Sequence, residues 1–211
     1  MKISAIIPAY NEENTISDVI KTIKSVNEIE EIIVVSDGSR DNTAGLAISC
    51  GARVVELEHN RGKGAAIKAG IKHCSGEIIL LLDADLIGLN AFHIRKLLNP
   101  VLNNSADMTI GLFSKGRFST DIAQKIAPNL SGQRAVRKSV LESLKGIDTA
   151  GYGIEVSLTI HAQKTNIRVD EVVLEDLTHV MKEEKLGLLR GFMERMKMYW
   201  QILKGMRLAR R

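Results

Sequence analysis

Two aspartates one residue apart, Asp83-Ala84-Asp85, directly follow an apolar run, Glu77–Leu82. Their carboxylates are hard oxygen donors, suited to Mg²⁺ or Mn²⁺ that also contacts phosphate oxygens. The plainer alternative is a solvated turn after a strand, where Asp is common. A second cluster, Asn60-Arg61-Gly62-Lys63-Gly64, sits between strand-like and helix-like segments. Its glycines let the backbone approach a ligand, the next helix offers free N–H groups, and Arg61 and Lys63 add positive charge. That combination suits a diphosphate, although an ordinary Gly-rich turn has the same composition. The Gly-Lys-Ser/Thr signature of a P-loop is absent, and Ile67 occupies the place of a third glycine in G-x-G-x-x-G. A third cluster, Asp37-Gly38-Ser39, presents a carboxylate able to accept from a uracil imide or a ribose hydroxyl. Nearby Asp41 suits a helix cap. A fourth, Pro8-Ala9-Tyr10-Asn11-Glu12, closes the first strand-like run, and alone reads as a plain loop.

The elements around these clusters alternate. Ile3–Ile7 is a short apolar run that Pro8 is expected to end. Glu12–Val26 has Ile16, Val19, Ile20 and Ile23 at helical spacing, with Asn11 or Asn14 as candidate cap. Strand-like Glu31–Ser36, Arg53–Glu58 and Glu77–Leu82 alternate with helix-like Thr43–Cys50, Gly64–Cys74 and Asn90–Asn103, before a fifth strand at Asp107–Leu112. Such alternation predicts an α/β fold whose central sheet is mostly parallel and flanked by helices. Ligands of such sheets bind beyond the carboxyl ends of the strands, where all four clusters fall. Beyond Leu112 the rhythm changes. Phe113–Thr120 reads as a loop, Ser131–Arg134 as a short strand and Lys138–Leu144 as a short helix. Ile154–Lys164 reads as a helix, Asn166–Leu174 as a strand and Leu186–Met206 as a helix.

Together the four clusters resemble glycosyltransferase family 2, in order and spacing, over roughly residues 3–112. The resemblance implies a Rossmann-like glycosyltransferase A fold. It implies that the Pro8, Ala9, Tyr10 and Glu12 loop and Asp37 hold the base and ribose. Gly62 and Lys63 would face the diphosphate. Asp83 and Ala84 would touch the nucleotide-sugar, and Asp85 the metal. Ser36 stands where many members have a first Asp, while Asp37 keeps the base-binding place.

Two later segments carry weaker likenesses. Ser131-Gly132-Gln133-Arg134-Ala135 is similar to the S-G-F-R-A segment of polyprenyl-phosphate sugar transferases. Those often have an Asp three residues before the Ser, where this chain has Pro128. Gly151-Tyr152-Gly153-Ile154-Glu155 is similar to the G-Y-G-x-E segment of glucosyl-3-phosphoglycerate synthases. Glu155 is therefore the candidate acid/base or acceptor-orienting carboxylate, the alternative being a capping or surface Glu. In phosphoglycerate-type members a His after the corresponding strand completes the metal site, which here implies His179 beside Asp85. The alternative is a surface His. His59, His73, His93 and His161 read as structural residues without partners.

The formal charge of +4 is unevenly spread. Residues 182–211 hold nine Lys/Arg and three Asp/Glu, so they are +6; residues 1–181 hold twenty and twenty-two, so they are −2. Within the basic segment Leu189, Phe192, Met196, Tyr199, Leu203 and Met206 form one apolar stripe, with Trp200 nearby. That helix is expected to dock on the core, on a second subunit as a homodimer contact, or on an anionic membrane surface. Three parts follow: 1–112 for the nucleotide-sugar, 113–180 for acceptor and metal within the same domain, and 181–211 as the amphipathic helix. An aromatic content of 4% and an acidic body argue against nucleic acid. No apolar run reaches the ~18–20 residues of a membrane span, and the N-terminus lacks a signal-peptide pattern. Cys50 and Cys74 suggest no disulfide framework. A cytoplasmic protein, peripheral at most to the inner membrane face, is expected. The expected activity is transfer of a hexose, glucose or mannose, from a UDP- or GDP-sugar to a polyprenyl phosphate or small phosphorylated acceptor, with Mg²⁺ or Mn²⁺. The rivals are a catalytically silent nucleotide-sugar-binding scaffold and a sugar-phosphate nucleotidyltransferase. The latter would need a Gly-rich basic loop after the first strand, where this chain has Ala9-Tyr10-Asn11-Glu12.

Overall fold

A computed structural model describes residues 1–113, 131–144 and 154–179. The loop after Phe113, Pro128, the Gly151-Tyr152-Gly153 triplet and the segment 181–211 with its predicted helix lie outside the described residues. The elements are β1 (Ile3–Ala9), α1 (Ile16–Lys24), β2 (Glu31–Asp37), α2 (Thr43–Ser49), β3 (Arg53–Leu57), α3 (Lys63–His73) and β4 (Ile78–Leu81). Then come β5 (Leu86–Ile87), α4 (Ala91–Leu102), β6 (Met108–Phe113), β7 (Arg134–Arg137), α5 (Lys138–Ser143), α6 (Ile154–Lys164), β8 (Val169–Leu174) and β9 (Thr178–His179).

Among the described residues seven strands form one sheet in the order β3-β2-β1-β4-β7-β6-β8. β3, β2, β1 and β4 are mutually parallel, as are β6 and β8. β7 runs antiparallel between β4 and β6. β5 and β9 pair separately, Leu86 opposite His179. The inner strands are apolar at successive positions because helices cover both sheet faces. Ile3, Ala5 and Ile7 pack with α1 and α4, whereas Ile6, Ile33 and Ile79 pack with α3, α5 and α6.

Several sequence expectations shift. β1 continues through Pro8 to Ala9 rather than ending at Ile7. Even-numbered backbone groups of β1 face β4, with the Leu82 N–H bonded to the Ile6 carbonyl at 3.3 Å. The β1–β4 pairing closes at Ile6 opposite Leu81, so Pro8 lacks its N–H only where that ladder has opened. α1 starts at Ile16, and neither Asn11 nor Asn14 caps it. Asn11 instead has φ of 56° and accepts the Arg40 N–H at 2.8 Å. β7 begins at Arg134, three residues after the expected Ser131, because Ser131 turns its hydroxyl onto the Gly111 carbonyl.

Asp107 fastens the far half of the sheet. Its carboxylate accepts the Arg168 backbone N–H at 3.1 Å and the Arg168 Nη2 at 2.9 Å, and lies 3.4 Å from Arg137 Nε. These join the starts of β6 and β8 to the end of β7. Hydrogen bonds from the Arg168 side chain, followed by partial burial that opposes them, leave the Asp107 carboxyl at about 2. Asp107→Asn is expected to lower urea-unfolding stability at neutral pH by about 1 kcal/mol. The folded carboxyl lies below its unfolded range of about 4, so its contribution is full above that range and fades on acidification toward about 2. Wild type and variant should converge in urea midpoint over that window; a constant gap would contradict the assignment.

Candidate functional site

The carboxyl ends of β1, β2 and β4 open onto one edge of the sheet, and their loops are bonded to one another. The Glu12 N–H donates to Thr43 Oγ1 at 2.8 Å, and the Glu13 N–H to Asp41 Oδ2 at 3.1 Å. Asp41 also accepts the Thr43 N–H at 3.1 Å, but the N-cap of α2 is Asn42, one residue on, so Asp41 is not the cap its position suggested. Asp37, 4% exposed, accepts the Arg61 and Gly62 N–H groups at 2.8 Å each. The expected base-binding carboxylate therefore also clamps the β3–α3 loop. Gly38, at φ +71°, permits this contact, since a Cβ there would meet the His59 and Asn60 backbone within 2.9 Å. Tyr10 stands 44% exposed at the mouth, while the Ala84 methyl is 3% exposed and belongs to the core. The side chain of Ala84 is thus a packing group, and the ligand contact expected of this residue falls to its backbone.

Beside these loops, charged groups from four elements converge. Lys63, first residue of α3, lies 2.5 Å from Asp83 Oδ1 and 2.6 Å from Glu155 Oε1. The residue expected to face a diphosphate is thus also the bridge between two carboxylates. Burial would lower the Lys63 pKa, but the charges of Asp83 and Glu155 outweigh it and hold the ammonium above its usual range. Burial likewise would raise Asp83, yet Lys63 and then His179 keep its carboxyl well below the usual range. Glu155 is 7% exposed in the first turn of α6, so it is not a surface residue.

His179 Nε2 lies 3.2 Å from Asp83 Oδ2, and its ring meets Phe113 edge-on at 4.8 Å. Its burial would lower the imidazole pKa; the hydrogen bond and charge of Asp83, with Asp85, raise it instead. One ligand atom from each of Asp83, Asp85 and His179 lies within 4.8 Å of the others. Two carboxylates and an imidazole are a donor set for Mg²⁺ or Mn²⁺. An octahedral ion with ligands at about 2.1 Å separates neighbouring ligands by about 3.0 Å, so the 3.2 Å Asp83–His179 spacing fits. Asp83 thus joins the expected pair Asp85 and His179.

Sequence reasoning missed three neighbours. Gln133, fully buried, places Nε2 3.0 Å from Asp83 Oδ2 and 3.2 Å from His179 Nε2. Arg134, also fully buried, donates to the Ser131 carbonyl at 3.0 Å and the Glu155 carbonyl at 3.1 Å. Burial pushes its guanidinium down to about 10, with the Glu155 charge opposing. Gly132 lies against the Lys63 ammonium and the Asp83 carboxylate. The signal in the sequence is the S-G-F-R-A resemblance, which by itself assigns these residues no role. The remaining histidines stay apart from this cluster. The expectation that they lack partners fails for all four: His161 Nε2 is 2.8 Å from Ser143 Oγ, His73 Nδ1 is 3.3 Å from Arg53, His93 Nε2 is 3.5 Å from Asn90 Nδ2, and His59 Nε2 is 3.8 Å from Glu58.

Comparison with known proteins gives a consistent result. The family model described as glycosyl transferase family 2 matches residues 4–146. A glucosyl-3-phosphoglycerate synthase from Mycobacterium tuberculosis is 31% identical, over 75% of this chain and 60% of the relative. A dolichyl-phosphate beta-glucosyltransferase from Trichomonas vaginalis is 35% identical, over 52% of this chain and 38% of that one. The chain therefore spans about 60% of the length of the synthases it matches. A crystal structure of the M. tuberculosis synthase with Mn²⁺, uridine-diphosphate-glucose and phosphoglyceric acid aligns with TM-score 0.82 at 28% identity. It covers 99% of this chain and 79% of that one. Another holds Mg²⁺ and uridine diphosphate, with TM-score 0.81.

A methyl group at Gly132 would press on the Lys63–Asp83 pair. Gly132→Ala is expected to cost about 1–3 kcal/mol in urea unfolding, the usual penalty of overpacking. Because Lys63 is one of the atoms met, Gly132→Ala and Lys63→Met together should cost less than the sum of the two. Strict additivity would show that Gly132 does not pack on Lys63.

Proposed function

The chain belongs to glycosyl transferase family 2, and from this premise we propose that it moves glucose from UDP-glucose to a small phosphorylated acid. The observation that carries this is the convergence of Asp83, Asp85 and His179 next to the Lys63–Glu155 pair. A divalent-cation donor set thus adjoins a cationic side chain at the edge where a parallel sheet binds nucleotides. The bound ligands of the solved relatives support the choice of UDP-glucose and phosphoglycerate.

Asp83, Asp85 and His179 would hold Mg²⁺ or Mn²⁺. When bound, the ion neutralises negative charge on the diphosphate as the C1–O bond breaks. The chain's own residues do the rest. Loops β1–α1 and β2–α2, with Pro8, Ala9, Tyr10, Glu12 and Asp37, hold the nucleoside. Gly62 and Lys63 carry positive potential toward the diphosphate, where charge grows in the transition state. Glu155, paired with Lys63, orients the acceptor; its carboxylate is already engaged by the ammonium at 2.6 Å, which favours orientation over proton abstraction. A cytoplasmic setting suits both donor and acceptor. Among the described residues no helix is long and apolar enough to cross a membrane.

A lipid-phosphate acceptor is the second reading. It rests on the dolichyl-phosphate glucosyltransferase relative and on the basic apolar stripe of residues 186–206. That stripe would then rest on a membrane surface or join two subunits.

The test is UDP-glucose turnover with 3-phosphoglycerate or polyprenyl phosphate in liposomes, with Mn²⁺, Mg²⁺ or EDTA. Expected are a glucosylated phosphoglycerate by mass spectrometry, loss of turnover in EDTA, and at least about a 100-fold loss in Asp85→Ala. Transfer to the lipid alone would select the second reading. Absence of metal-dependent turnover with any UDP- or GDP-sugar would favour a silent binding protein. Liposome binding unchanged after deletion of residues 186–211 would rule out the membrane role of the tail.

A further inference from the structure

Three atoms at the site form a nearly equilateral triangle: Asp83 Oδ2, His179 Nε2 and Gln133 Nε2, with edges of 3.2, 3.2 and 3.0 Å. Two of them belong to the divalent-cation set. An octahedral ion presents a triangular face of ligands with edges of about 3.0 Å. The third vertex is therefore where a further ligand would stand, and it is held by a side-chain amide. The amide oxygen, Gln133 Oε1, is buried and has no hydrogen-bond partner. A half-turn about the Gln133 Cγ–Cδ bond exchanges oxygen and nitrogen with almost no change in shape. That half-turn brings Oε1 to the vertex and makes all three corners lone-pair donors.

We propose that Gln133 is a further ligand of the divalent cation, binding through its side-chain carbonyl oxygen. The inference rests on the reading of Asp83, Asp85 and His179 as the cation site. Its backbone suits the task. The Gly111 N–H donates to the Gln133 carbonyl at 2.8 Å, and the Gln133 N–H donates to Ser131 Oγ at 3.3 Å. Gln133 immediately precedes β7, opposite the end of β4 from which Asp83 emerges. Two neighbouring strands thus aim Gln133 and Asp83 at one point, and His179 arrives from a separate two-stranded pair. Without the ion the amide N–H donates to Asp83 at 3.0 Å. With it the oxygen takes that place. A neutral carbonyl adds a hard donor without adding charge, so four protein donors leave two of six positions for phosphate oxygens.

The test is Mn²⁺ titration followed by electron paramagnetic resonance, with and without uridine diphosphate, on wild type, Gln133→Phe, Gln133→Leu and Asp85→Ala. Gln133→Phe and Gln133→Leu are expected to weaken Mn²⁺ binding about 10–100-fold. Near-ultraviolet circular dichroism checks that the variants fold. Affinity unchanged in both, while Asp85→Ala loses binding, overturns the Gln133 ligand and leaves the cation site standing. Unchanged affinity in Asp85→Ala overturns the cation site and the proposal with it. Anomalous diffraction from Mn²⁺-soaked wild-type crystals needs no variant: the Gln133 carbonyl should lie about 2.1 Å from the ion. A Gln133 amide still donating to Asp83, beyond bonding distance of the ion, overturns the proposal.

Discussion

The Asp83 carboxylate is met from three sides. Lys63 approaches Oδ1, while Gln133 and His179 approach Oδ2. A partly buried carboxylate without partners would cost several kcal/mol, so each of these contacts is also a constraint on where its own element lies. Lys63 sets the start of α3, Gln133 the entry to β7 and His179 the β5–β9 pair. Lys63 passes the constraint on to Glu155, because it cannot neutralise one carboxylate without fixing the other. The position of α6 over the sheet edge is thereby coupled to the end of β4.

The antiparallel strand explains how residues so distant in sequence reach one point. β7 inserts between β4 and β6, so its first residue faces the last residue of β4, with Arg134 opposite Leu81. A parallel strand at that place would deliver its carboxyl end, not its amino end, to the ligand edge. Reversing it brings Gly132, Gln133 and Arg134 there together. Gly132 leaves room for the Lys63–Asp83 pair, Gln133 reaches Oδ2, and Arg134 supports α6 through the Glu155 carbonyl.

The parallel half of this arrangement was legible in the chain. Ile78–Leu81 is apolar throughout because both sheet faces are covered, and that pattern alone marks an inner strand with its ligand loop just beyond. Ile16, Val19, Ile20 and Ile23 marked the buried face of α1 equally directly. The site's carboxylates followed, since Asp37 and Asp83 end such strands. What periodicity does not carry is the direction of a four-residue strand. Arg134–Arg137 is too short for its own pattern to mark β7 as antiparallel. Gln133 and Arg134 were missed for that reason. Asn11 misled for another: its side chain suits a cap, but its backbone, at φ 56°, carries the amide to the next loop. Tertiary contacts decided between two uses of the same residue.

Charge gives the site a further property. Asp83, Asp85 and Glu155 bring three formal negative charges, against two positive from Lys63 and Arg134, so the cluster is −1 with a neutral imidazole. Such a cluster attracts a divalent cation and repels a diphosphate. Occupied by the cation it becomes +1, and the preference for anions reverses. At separations of a few ångströms and partial burial, each unit of charge is worth on the order of a few kcal/mol. On the proposed reading, cation and nucleotide therefore strengthen each other's binding, and the carbonyl of Gln133 matters because it is neutral. A carboxylate at that corner would return the loaded cluster to zero and weaken the hold on the diphosphate.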